Sequence, residues 1–171
     1  MSEFLSNPKT ILAALLIVGS VVTDLRRKKV PNQLIVIGLA LALILIAVVE
    51  GSSGIWPAAA SLGTATLFAF PLYSLRAIGA GDMKLIWVLS LLLNWNVVIT
   101  MILASMLWGA LLGVFRVLLQ GKGKAFAKNL LAILKKSKPQ PSQMTQVPYT
   151  IAIFFGFLTS LSLNSVGISW V

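Results

Sequence analysis

The chain contains no cysteine and no histidine, and its only acids are Asp24, Asp82, Glu3 and Glu50. Without cysteine there is no disulfide, no thiolate nucleophile and no cysteine-ligated zinc. Without histidine the commonest general base and metal ligand is missing. Charge of either sign is scarce, at 11% of residues, whereas 58% are hydrophobic; soluble domains hold about 45 to 50%. A soluble domain is excluded, and an integral membrane protein is indicated. The 171 residues accommodate one membrane domain, 1–171, without an additional soluble domain of ordinary size. No internal repeat is evident.

A spanning helix takes about 20 consecutive apolar residues. Six segments have this character, at about 4–23, 33–49, 56–75, 82–95, 97–119 and 147–163. The expected fold is all-α, a polytopic membrane bundle of about six transmembrane helices. The third segment is rich in small residues ("AAASLGTAT"), as suits close helix packing within a bilayer. The first is read as a retained helix, because it runs into "TDLRRKK" without a small-x-small cleavage site. Between the fifth and the last, Phe126, Leu130 and Ile133 form a stripe largely opposite Lys124, Lys128 and Lys135. That pattern suits an interfacial helix over about 123–137; a solvated basic loop is the alternative.

Lysine and arginine near helix ends favour the cytoplasmic side. With six spans, the connections after the first, third and fifth lie on one side and carry thirteen of the fourteen basic residues. Only Lys9 lies opposite. Both termini are therefore expected outside, with those three connections in the cytoplasm. The net charge of +10 follows from topology and attraction to anionic lipid, so a nucleic-acid partner is not expected.

The same topology gives Asp24, at the end of the first helix, and Asp82, at the start of the fourth, a common cytoplasmic depth. Asp82 stands where a capping aspartate would. Asp24 is less easily explained, since an anion at a helix C-terminus opposes the dipole, although Arg27 or Lys28 could pair with it if the helix continued. An ionisable residue at membrane depth is a functional candidate. From Met83 to Trp95 the fourth segment is short, roughly 20 Å of helix against a hydrocarbon core of roughly 30 Å. That would draw Asp82 inward or thin the bilayer locally.

Two carboxyl groups sharing a site resist double ionisation, so one holds a proton while the other accepts one. This is the aspartic-protease division of labour: the ionised partner takes a proton from water, and the protonated partner hydrogen-bonds the scissile carbonyl. Neither metal nor cofactor is required, and none is expected. Gly79 and Gly81 either let an extended peptide approach Asp82 or simply break the helix.

"GAGDMK", residues 79–84, matches a G-x-G-D-x-K element, and "DLRRKKVPN", residues 24–32, an Asp-basic-Pro-Asn element. Together they resemble the type IV prepilin peptidases, polytopic aspartic proteases of the GxGD class. "VPYTIAIFFG" resembles that family's last-helix run through Pro148, Tyr149, Ala152 and Gly156. The resemblance implies that Asp24 and Asp82 are catalytic. It implies, as partner, a prepilin or pseudopilin whose short leader is removed at the cytoplasmic face of a prokaryotic inner membrane. It resembles the short, peptidase-only branch associated with tight-adherence pili; the cysteine-bearing cytoplasmic region of bifunctional members has no counterpart here, so methyltransferase activity is not expected.

Other matching positions take supporting roles. Lys84 lies two residues beyond Asp82 and points away from it on a helix; it snorkels to lipid phosphate or contacts substrate, the lipid role being expected. Lys29, Pro31 and Asn32 shape the loop after Asp24, with Pro31 stopping the preceding helix. Pro148 and Tyr149 pack near the site. "GALLG", Gly109 to Gly113, suits ordinary helix packing, and the oligomeric state is left open. The competing reading is an ion-coupled membrane subunit using the two aspartates as proton or cation sites, against which their position in short loops at one face counts; a structural subunit of a secretion assembly is a third.

Overall fold

A computed structural model describes residues 7–27, 29–121 and 149–165. The described residues form six α-helices: α1 Pro8–Arg27, α2 Asn32–Leu45, α3 Ile55–Ser74, α4 Ala80–Leu92, α5 Trp95–Leu119 and α6 Tyr149–Ser165. No strand occurs among the described residues, so the chain is all-α. The candidate interfacial helix at about 123–137, and Pro148, lie outside the described residues.

The short helix α4 is the centre of the bundle, packed by α1, α2 and α3 and touched by α5. Met83, Leu85, Ile86, Val88, Leu89, Ser90 and Leu92 are all buried along it. Burial on most sides explains a sequence with little amphipathic stripe. The surrounding helices are inverted relative to a soluble protein. Leu15, Val36, Leu67 and Leu107 are each more than 60% exposed, as side chains that meet lipid would be.

Three helical stretches are long and apolar enough to cross a membrane: Pro8–Arg27, Asn32–Ser74 and Trp95–Leu119. The count of six separate spans is thereby corrected to a coarser one. Asn32–Ser74 joins α2 and α3 in one apolar stretch, while α4, at 13 residues, and α6, at 17, are shorter. The physical reason is that α4 is enclosed by its neighbours, so its length is matched to the protein around it more than to lipid.

A π-helical turn, Ile46–Glu50, and a 3-10 turn, Gly51–Gly54, link α2 to α3. Gly51 has φ +60° and ψ −142°, a conformation that a side chain disfavours. Glu50 is held there by Lys9 of α1, Nζ to Oε1 at 2.7 Å. Elsewhere glycine permits close crossing. A Cβ on Gly156 of α6 would lie 2.6 Å from the Met101 carbonyl oxygen of α5, and one on Gly109 would lie 3.0 Å from the Tyr149 ring. Gly109 of the "GALLG" run thus serves packing within the chain.

Candidate active site

Helix α1 runs through Asp24 to Arg27, so this acid stands inside the last helical turn and not after it. Its side of the helix is buried, at 8% exposure. A carboxylate there opposes the dipole of its own helix, and another element supplies the compensation. Thr150 Oγ1 donates a 2.7 Å hydrogen bond to Asp24 Oδ2. Thr150 is the second residue of α6, which places Asp24 beside the positive end of that helix.

The second acid is positioned by a chain reversal. Helix α3 ends in a Schellman motif: the Ala77 N–H reaches the Leu72 carbonyl at 2.8 Å and the Arg76 N–H reaches Tyr73 at 2.9 Å. Arg76 takes the left-handed position at φ +58°, where glycine is usual. Two residues on, Ile78 is buried, and Gly79, in extended conformation, is the N-cap of α4. Asp82 is therefore the third residue of α4, and the capping position expected for it belongs to Gly79. Its Oδ2 accepts the Gly79 N–H at 3.2 Å, while the Gly79 carbonyl accepts the Met83 N–H at 3.1 Å. This fixes the carboxyl group against the start of the helix.

The two glycines of "GAGD" have distinct neighbours. A Cβ on Gly79 would lie 3.1 Å from Asp82 Oδ2, and one on Gly81 would lie 3.4 Å from Val30 Cβ. Gly81 thus lets the first turn of α4 approach the α1–α2 connection. In that connection Lys29 is exposed, and Pro31, at φ −69° and ψ 136°, is the N-cap of α2. Asn32 Oδ1 accepts from Lys84 Nζ at 3.2 Å. The Lys84 ammonium thus has one described partner within the protein, at an exposed position.

Tyr149, in the first turn of α6, hydrogen-bonds Ser105 of α5 through their hydroxyls at 3.0 Å. Asp24, Asp82, Asn32, Lys84, Tyr149 and Thr150 accordingly gather at one end of the bundle, and Lys9 and Glu50 at the other. Asp24 and Asp82 stand in the last turn of α1 and the first turn of α4, where Gly81 meets Val30 of the α1–α2 connection. Among the described residues no three His, Cys, Asp or Glu side chains gather as a metal-binding set.

Sequence reasoning did not single out Thr150, Ser105 or Arg76. A hydroxyl amid "PYTIAIFF" has no periodic signature, although its place in the first turn of the last helix, on the same face as Asp24, was a usable clue.

The family model described as the type IV leader peptidase family matches residues 10–114. The match contains both aspartates, the "DLRRKKVPN" segment and "GAGDMK", and ends before α6. No curated protein and no solved structure matches the chain.

Proposed function

Because the chain belongs to the type IV leader peptidase family, we propose that it is a membrane aspartic endopeptidase that removes the short leader from prepilins or pilin-like precursors, with Asp24 and Asp82 as its catalytic pair. One observation carries this reading: the only two aspartates of the sequence stand in the last turn of α1 and the first turn of α4, two helices that pack together, with the start of α4 set against the connection that follows α1. The remaining described acid, Glu50, is engaged by Lys9 at the opposite end.

The chemistry follows from two carboxyl groups and a water. The ionised aspartate removes a proton from water as its oxygen bonds to the scissile carbonyl carbon. The protonated aspartate gives its proton to the carbonyl oxygen, which avoids a free oxyanion. The tetrahedral diol then collapses: the C–N bond breaks, the amine nitrogen receives a proton from the carboxyl that had accepted it, and the diol returns the other carboxyl's proton. Both carboxyl groups return to their starting state, and one water is consumed. Arg26, Arg27, Lys29, Arg76 and Lys84 lie beside the aspartates in the sequence, and basic residues near helix ends favour the cytoplasmic side, where a basic leader ahead of an apolar helix presents its cleavage site. No methyl transfer is assigned.

Cleavage of a co-expressed prepilin by the wild type, Asp24→Asn and Asp82→Asn, at matched membrane levels, tests the reading. Both substitutions are expected to abolish leader removal. Retention of cleavage by both would reassign the acids to caps or to proton or cation sites.

A further inference from the structure

The mechanism leaves open what holds the Asp24 carboxyl in its orientation, and a buried hydroxyl bears on that. Thr150 is 0% exposed, and its Oγ1 lies 2.7 Å from Asp24 Oδ2. A hydroxyl has one proton to donate, and a carboxylate accepts it best when ionised. The donor is itself held in place. Its neighbour Tyr149 is anchored to α5 by Ser105, with the Tyr149 ring seated against Gly109. One turn of α6 therefore grips α5 with residue 149 and addresses α1 with residue 150.

Asp82 differs. Its described hydrogen bond is to the Gly79 N–H at 3.2 Å, a contact within its own helix start, and the residue is only half-buried.

The geometry points to Thr150 as a positioning residue that orients the Asp24 carboxyl within the catalytic pair. This rests on the two-carboxylate reading above. The charged and titratable groups on elements packed against α1 are Asp82 and Lys84 of α4 and Tyr149 of α6, with none on α2; Arg26 and Arg27 on α1 itself are exposed. Of the described groups, Thr150 is the one hydrogen-bonded to the Asp24 carboxyl.

The test uses the full chain in membranes or detergent with a prepilin substrate, and compares Thr150→Val, which keeps the shape and removes the donor, with Thr150→Ser, which keeps the donor. Thr150→Val is expected to lower kcat about tenfold or more with KM changed less than about threefold. Thr150→Ser should stay near wild type in kcat and KM. Wild-type kcat in Thr150→Val would overturn the inference, as would equal losses in both variants, the mark of a structural role. Asp24→Asn, measured alongside, separates the two levels: if it is inactive while Thr150→Val behaves as wild type, this inference alone fails, and if it cleaves normally, the catalytic pair falls with it.

Discussion

Lys84 of α4 reaches Asn32 of α2, Nζ to Oδ1 at 3.2 Å, and thereby joins the two segments that carry the aspartates. Asn32 closes the segment that begins at Asp24, and Lys84 lies two residues after Asp82. An exposed hydrogen bond of this kind contributes little to global stability, about 1 kcal/mol or less. Its effect is on how the start of α4 is set against the α1–α2 connection.

Asn32→Ala and Lys84→Met are therefore expected to slow leader cleavage by similar factors, about two- to tenfold, with the double variant no slower than either alone. Rates for the four proteins at matched membrane levels measure this. Full multiplication of the two single effects would show that the residues act separately.

Gly156 gives a prediction of the opposite scale. Its Cβ position would lie 2.6 Å from the Met101 carbonyl oxygen and 2.8 Å from the Ser105 nitrogen, both backbone atoms that cannot rotate away. Gly156→Ala should cost about 1 to 3 kcal/mol through overpacking. The displaced α6 should also slow cleavage, because Thr150 rides on the same helix. A lower thermal midpoint in detergent together with a reduced rate is the expected pair of results; an unchanged midpoint would contradict the close α5–α6 crossing.

Arg76 offers a stabilising change. It holds φ +58° in the turn that precedes the Asp82 helix, where a side chain costs about 1 to 2 kcal/mol. Arg76→Gly removes that cost and adds backbone freedom to the unfolded chain, so the net gain should be about 1 kcal/mol or less. Thermal unfolding of the detergent-solubilised chain reads it, and a lower midpoint would show that the arginine side chain makes contributions the turn geometry does not reveal.

How much of this was legible beforehand depends on the kind of residue. Asp24 and Asp82 stood out because an ionisable group in an apolar chain is rare enough to need a reason. The helical, membrane-embedded class was legible for the same reason, since long apolar runs have few other outcomes. The helix ends were less so: nothing local shows that α1 continues past Asp24, or that Gly79 takes the cap and leaves Asp82 in the first turn. Lys84 shows a related limit. Its helical spacing says nothing of Asn32, which arrives from another helix.

Composition and charge placement by themselves determined the class of this protein and its two candidate acids, because burying or stranding a charge in lipid carries a penalty that depends on the residue alone. Only the tertiary structure decided that α4 lies at the centre, that Thr150 donates to Asp24 and that Lys84 meets Asn32. Each of those depends on which helices pack together, and a hydrogen bond between residues 126 positions apart in sequence exists only once that packing has brought their helices within 3 Å of one another at those side chains.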